Sequence, residues 1–381
     1  VSTPPALGLY VHWPYCARIC PYCDFNVYRA RGADTGALTA AILDDIARWR
    51  DRTGARRLTS LHFGGGTPSL MPPGDIAAVI EAADRLFGFE DGAEIGLEAN
   101  PKEAARLPGI ASAGVERVSV GVQAFDDASL DALGRDHGAE EALAAVADAQ
   151  DLFARVSIDL IYAREGQTPD GWRAELERAV ALGLDHLSLY QLTIEPGTAF
   201  ARKAERGALI PPASEDAAEM FEIAQDLTAA AGLQAYEISN HARGAANRSV
   251  HNRLYWTGGD WIGAGPGAHS RLGRHSEGGR LSAEAAATPG GYAAGVAAGG
   301  GHETAVLTAL EEAQERVLMG LRIAEGLDRA DLRGATGLDI DMDAARRFEA
   351  QGMLALHDDR AAITPAGRLY ADRISMELAP G

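Results

Sequence analysis

Cysteine is almost missing from this chain. Three stand among 381 residues, too few and too close together for a disulfide framework, and a reducing compartment would keep them as thiols. Aromatic residues are sparse at 6 % while apolar residues reach 46 %, so any core must be built mainly from aliphatic side chains. No apolar run attains the ~18 residues of a membrane-spanning helix. The opening Val1-Ser2-Thr3-Pro4-Pro5 lacks the basic head and apolar stretch of a secretory leader. On those grounds the protein is expected in the cytoplasm. Bases are outnumbered by acids, 35 to 54, for a net charge of −19. The short arginine clusters at 52–57 and 243–253 read as solvated faces or local ion pairs, which excludes nucleic acid as the expected partner. The acidity also disfavours anionic membranes.

What the chain does have is placement. All three cysteines, Cys16, Cys20 and Cys23, fall in one segment spaced C-x3-C-x2-C. Soft thiolates so arranged suit an iron–sulfur cluster or zinc. A four-iron cubane normally takes four cysteines; three leave one iron open to a cofactor. The alternative is a Cys3His zinc site with His12 or His62 as fourth ligand.

The first 200 residues alternate strand-like and helix-like segments. Strands are expected at 7–13, 58–63, 94–98, 117–123, 156–162 and 186–193, with helices at 38–50, 73–87, 139–153 and 171–182 between them. Repeated βα units imply parallel strands and a partial (β/α)6 barrel spanning 1–235, in the α/β class. A connecting region at 236–303 follows, with 274–303, rich in Gly, Ala and Ser, read as loop or linker. Helices and a hairpin at 304–381 suggest an α+β winged-helix-like module. In such barrels the working residues sit on loops at the C-terminal strand ends. The cysteines, Gly64-Gly65-Gly66-Thr67-Pro68, Glu98-Ala99-Asn100-Pro101, Gln123 and Asp159 all fall there, which argues for one site on one rim. The glycine run reads either as a turn needing positive φ or as backbone N–H groups facing a ligand.

These motifs resemble the radical-SAM proteins related to oxygen-independent coproporphyrinogen III oxidase. The resemblance runs from Tyr10 and the cysteine motif through Gly64-Gly-Gly-Thr-Pro68, Val122-Gln-Ala-Phe125 and Ile158-Asp-Leu-Ile-Tyr162. It continues in His251-Asn-Arg-Leu-Tyr-Trp256 and Gly263-Ala-Gly-Pro-Gly-Ala-His269, and ends in Ile363-Thr-Pro-Ala-Gly-Arg-Leu-Tyr370. It implies a [4Fe–4S] cluster on Cys16, Cys20 and Cys23, with S-adenosylmethionine chelated at the open iron and cleaved by one electron to a 5′-deoxyadenosyl radical. Tyr10, Gly65, Gly66, Thr67 and Glu98 would line that cofactor, with Tyr22 near the adenine. Gln123, Arg135 and Asp159 match positions that contact a second S-adenosylmethionine in the oxidase branch. No catalytic residue is firmly assigned.

Two departures point to the HemW-like branch, regarded as heme chaperones. Phe25 stands where the oxidase branch has a further cysteine, and only nine residues precede Tyr10. The H-N-x-x-Y-W run at 251–256 is characteristic of that branch, and makes His251 a candidate axial ligand for heme, ahead of His269 and His241. The implied partners are heme, heme-accepting proteins such as respiratory enzymes, and an electron donor; a homodimer is allowed. The alternative is the coproporphyrinogen III oxidase itself. One further departure, Ala163-Arg164-Glu165 in place of the family's Gly-Leu-Pro, puts contacts at the end of the fifth strand in doubt.

Overall fold

The computed structural model describes residues 5–381; Val1 to Pro4, where the expectation of no leader falls, lie outside them. Six parallel strands form the scaffold: β1 (Leu7–Trp13), β2 (Leu58–Gly65), β3 (Phe89–Ala99), β4 (Arg117–Gln123), β5 (Arg155–Tyr162) and β6 (His186–Gln191). Helices α1 (Thr35–Thr53), α2 (Pro73–Phe87), α3 (Ala139–Leu152) and α4 (Pro169–Ala181) provide major crossovers, and α5 (Ser214–Ala230) follows β6. Local chemistry sets their starts: Asp34 caps α1 and Thr168 caps α4, each side chain accepting a backbone N–H three residues on.

Period-two alternation divides each strand between two surroundings. Leu9, Val11, Leu61, Phe63, Leu97, Val118, Val120, Ile158, Leu160, Leu187 and Leu189 belong to the main apolar core. The alternate positions are polar: Tyr10 and His12, Ser60 and His62, Glu94 and Glu98, Ser119 and Gln123, Asp159, Ser188. A polar inner column cannot close into an aliphatic barrel core, so its hydrogen-bonding groups must find partners or face a cavity.

The sheet does not end at six strands. Beyond β6 come β7 (Gln234–Ala235) and β8 (Asn240–Ala242), with β8 antiparallel to β6. On the other side β9 (Asp260–Ala264) runs parallel to β1, from Leu7 opposite Asp260 to Val11 opposite Ala264. Antiparallel strands β10 (His269–Leu272), β11 (Arg280–Ala285) and β12 (His302–Leu307) extend it to twelve strands. A short helix, α6 (Val250–Trp256), precedes β9, and α7 (Pro289–Ala297) lies between β11 and β12.

The linker reading of 274–303 is therefore corrected. Much of it is β11 and α7, and Tyr292 and His302 both bind the buried Asp45 of α1, at 2.7 and 2.9 Å. The strand signal was muted because the buried positions of β11 include Ala283 and Ala285 rather than large aliphatics.

After residue 307 a smaller module has its own core of Val317, Leu321, Leu332, Phe348, Leu354 and Ile374. It combines helices Ala309–Gly320, Arg329–Thr336 and Met342–Ala350 with a hairpin, Leu354–His357 and Arg360–Ile363. Leu327–Asp328 adds a third strand. The last helix starts as a 3-10 turn at Pro365–Tyr370 and becomes α-helical at Ala371–Leu378.

Candidate functional site

A cavity of about 460 Å³ opens at the C-terminal rim of the parallel strands. Its lining includes Cys16, Cys20, Cys23, Tyr22, Gly65, Gly66, Thr67, Glu98, Gln123, Arg135 and Asp159. Of the residues that the resemblance assigned to the cluster and cofactors, Tyr10 and His251 lie outside that lining, as do the other histidines weighed as ligands, His12, His62, His241 and His269.

The cysteine loop is shaped from both sides. Tyr15–Cys16 pairs with Tyr28–Arg29 as a two-residue parallel bridge, and Cys23 N–H closes a turn on Cys20 O. All three thiols are free. Burial raises Cys16 and pushes Cys23 up to about 11, so both are neutral until a cationic group takes them. Among the described residues no three His, Cys, Asp or Glu side chains form a group that could hold a single metal ion. His12, weighed as a fourth zinc ligand, has both ring nitrogens engaged: Nε2 donates to Asn26 O at 2.9 Å and Nδ1 accepts from Tyr10 OH at 3.1 Å. Three soft donors lining a sizeable cavity fit a polynuclear cluster better than one ion.

The glycine run serves close approach. Gly65 has φ +116°, and a Cβ there would meet the His12 ring at 2.8 Å. A Cβ on Gly66 would meet Pro14 O at 2.8 Å and Cys16 Sγ at 2.9 Å. The N–H groups expected to face a ligand do something else: Gly66 donates to Trp13 O and Thr67 to Tyr15 O, at 2.8 and 3.0 Å. The run ties the cysteine loop to the strand end and leaves room for the Cys16 thiol.

Arg135 is committed on several sides. Nη1 lies 3.5 Å from both Cys20 Sγ and Tyr22 OH. Nη2 donates to Asn100 Oδ1 at 3.3 Å and Gly121 O at 3.1 Å. Asn100 is itself fixed, donating to Asp136 from its side chain and to Ser69 Oγ from its backbone N–H. Tyr22 packs one side against Phe200, with ring centres 6.1 Å apart. Gln123 sits at φ +69°, uncommon for a residue with a side chain and the kind of strain that collects at functional sites. Asp159 accepts from Ser119 Oγ at 2.8 Å. Burial lifts its carboxyl to about 6 despite that bond, helped by the Glu98 charge.

Asp136 and Ser119 were not singled out in sequence. Ser119 shares the inner face of β4 with Gln123, so the same alternation that found the strand also pointed to it. Asn100 was placed on the rim with its neighbours Glu98 to Pro101, but its bonds to Arg135 and Asp136 carry no sequence signal.

Beneath the cavity, Tyr10, His62 and His251 form a stack, with the two histidine rings 4.7 Å apart. His251 is buried; Nδ1 meets Ser60 Oγ at 3.0 Å and Nε2 meets Tyr255 OH at 2.8 Å. Burial holds it well below the usual histidine range. Axial ligation of heme by His251 would require one of these bonds to be given up. The helix that carries it is anchored by Glu94, whose buried carboxylate accepts from Ser249 Oγ (3.2 Å), Val250 N (3.1 Å) and His251 N (3.1 Å) and pairs with Arg155 at 2.8 Å. His241 is buried and His269 is exposed beside Glu284.

The Ala163 departure has a local solution. Ala163 takes φ +57°, where glycine would be relaxed. Arg164 turns inward to Glu175 at 2.7 Å and Ile161 O at 2.5 Å, while Glu165 accepts Ile210 N at 2.7 Å. None of the three lines the rim cavity.

No helix among the described residues is long and apolar enough to cross a membrane. Residues 10–179 match the profile of the Radical SAM superfamily and residues 307–370 that of the HemN C-terminal domain. The chain is 44 % identical over 268 residues to the mitochondrial radical S-adenosyl methionine domain-containing protein 1 of Bos taurus, covering 70 % of this chain and 60 % of that one. It is thus matched to less than two thirds of that relative's length. It is 34 % identical over 388 residues to the heme chaperone HemW of Mycobacterium tuberculosis, covering 97 % of this chain and 94 % of that protein. The solved structure of coproporphyrinogen III oxidase (HemN) from Escherichia coli, a radical SAM enzyme, superposes with a TM-score of 0.81 at 23 % identity, over 99 % of this chain and 90 % of that one, and so shares the fold. Matched over nearly its whole length to a relative of that identity, and carrying both domains, the chain belongs to the HemW-like family of radical-SAM proteins.

Proposed function

We propose that this protein is a heme chaperone that holds a [4Fe–4S] cluster and S-adenosylmethionine in the rim cavity and delivers heme to acceptor proteins such as respiratory enzymes. The observation that carries the cofactor half is the gathering of three free thiols, Gly65 to Thr67, Glu98 and Asp159 around one cavity. When bound, the cluster and S-adenosylmethionine supply one-electron chemistry. The protein's own part is to bind and to shield. Cys16, Cys20 and Cys23 are the ligands, Gly66 gives the Cys16 sulfur its room, and Tyr22 and Thr67 wall the cofactor side. Asp159 and Glu98 offer acceptors for donor groups of the cofactor.

The chaperone half draws on the relatives named heme chaperone HemW and on Phe25. That side chain is 65 % exposed and lines the cavity mouth at the position where the oxidase branch has a cysteine. The second reading, a coproporphyrinogen III oxidase, is favoured by Gln123, Arg135 and Asp159 sharing the cavity lining. The deciding experiment is anaerobic incubation of reconstituted protein, checked for about four irons per chain, with coproporphyrinogen III, S-adenosylmethionine and a reductant. The expected result is an intact cluster, no protoporphyrinogen IX, and transfer of bound heme to an apo-acceptor. Multiple turnovers to protoporphyrinogen IX would overturn the chaperone reading.

A further inference from the structure

We propose that Arg135 is a positioning residue that sets the reduction potential of the cluster by donating an N–H from its guanidinium to the Cys20 sulfur. The inference rests on reading the cysteines as cluster ligands and adds a specific control of that cluster. The geometry is direct: Arg135 Nη1 stands 3.5 Å from Cys20 Sγ, within reach of an N–H···S hydrogen bond. The guanidinium cannot easily swing away. Its other terminal nitrogen bridges Asn100 Oδ1 and Gly121 O, its own carbonyl accepts from Arg18, and Asn100 is locked by Asp136 and Ser69. The Asn100 and Gly121 contacts hold a planar fork rather than a mobile point charge, which is why lysine is a poor substitute; the Arg18 bond steadies only the backbone that carries it.

Reduction adds a negative charge to the cluster. A fixed positive charge and a hydrogen bond at a ligand sulfur stabilise that more negative state, so they raise the potential and ease electron entry. The same contact lowers the electron density on Cys20 relative to Cys16 and Cys23, for which no hydrogen bond from a guanidinium to sulfur is found among the described residues. Arg135 Nε is buried and has no partner among the described residues, leaving one further donor for a group that fills the cavity.

The test is an anaerobic redox titration of the reconstituted full chain, followed by electron paramagnetic resonance without S-adenosylmethionine, for wild type, Arg135→Met, Arg135→Lys and Asn100→Ala. Iron and sulfide are assayed first. The expected result is a lower midpoint potential in all three variants, with Arg135→Met furthest down and the other two between it and wild type. If Arg135→Met fails to assemble, the remaining pair carries the comparison, because Asn100→Ala leaves the arginine in place but unaligned. Clusters of normal iron content whose midpoints equal or exceed wild type would overturn the inference while leaving the proposed function standing. A wild-type chain that takes up no cluster overturns both.

Discussion

Glu94 offers the sharpest test of how the floor of the site is held. It is fully buried, and both carboxylate oxygens are used: Oε1 by Ser249 Oγ and His251 N, Oε2 by Val250 N and Arg155, with Arg117 at 3.8 Å. Burial alone would raise its pKa, yet Arg117 and Arg155 and the two backbone N–H groups outweigh that and hold it below the usual glutamate range. In Glu94→Gln an NH₂ donor faces donors, and two largely buried arginines lose their counter-charge. Breaking a buried pair in this way costs about 3–5 kcal/mol. At about 2 °C per kcal/mol for a long chain, the barrel melts roughly 6–10 °C lower. The pH dependence has a definite sign. A depressed carboxyl stabilises above its unfolded pKa, near 4.3, and the benefit is lost as pH falls through the lower folded value. The wild-type advantage is therefore full from pH 7.5 to about 5 and shrinks below about 4. Thermal melts followed by circular dichroism across that range measure it. A Glu94→Gln melting temperature within 1 °C of wild type at neutral pH (about 0.5 kcal/mol by the same conversion) refutes the reasoning.

Asp159, lifted to about 6 from an ordinary 3.8, has the opposite sign: the folded state favours the proton, so the charge weakens the fold as pH rises from about 4 to about 6. Asp159→Asn is expected to gain stability over wild type across that window, by roughly 1 kcal/mol rather than the ~3 that the full shift implies, because the side chain faces the open cavity; a flat difference between pH 4 and 7 counts against this. His251→Ala is expected to lower the melting temperature through loss of the Ser60 and Tyr255 bonds while the Soret band of added heme stays where it is; a shifted Soret band with unchanged melting would make the ring a heme ligand. Cys20→Ala is expected to remove the brown chromophore and most bound iron, measured by absorbance and iron assay. Arg164→Ala, which removes the charged partner of the half-buried Glu175 but leaves it the Phe125 N–H and Gln167 donors, is expected to destabilise by about 2 kcal/mol, whereas Ala163→Gly stays within about 1 kcal/mol of wild type because relief at positive φ is offset by backbone entropy and a lost methyl; denaturant melts separate the two.

The rim site was legible because its chemistry is carried by strand ends, where residue type and position coincide. The alternation in Arg117–Gln123 located β4 and put Gln123 on the rim with no help from tertiary contacts. Helix α2 was bounded at Pro73 and Phe87 by a proline start and a following glycine. The unread parts are those whose meaning lies in partners far along the chain. Glu94 looks like any strand carboxylate until Arg117, Arg155 and Ser249 surround it. His251 reads as a candidate ligand in the sequence, which does not show that Ser60, 191 residues away, meets one ring nitrogen and Tyr255 the other. Strands β11 and β12 were missed because small residues carry too weak a hydrophobic signal, and because an edge strand such as β12, largely exposed, shows little alternation.

The pairing of β1 with β9 has a consequence for how the chain is made. The first strand receives one neighbour, β2, after some fifty residues, but its other edge stays bare until Asp260–Ala264 exists. A nascent chain thus carries the thiol-bearing loop on an unfinished strand through most of its synthesis, with a loop closure of more than two hundred residues still outstanding. Emergence of Asp260–Ala264, not of the cysteines, is then what completes the wall behind them, and a fragment ending before residue 260 keeps an open strand edge next to its thiols, the arrangement most prone to pairing with another chain.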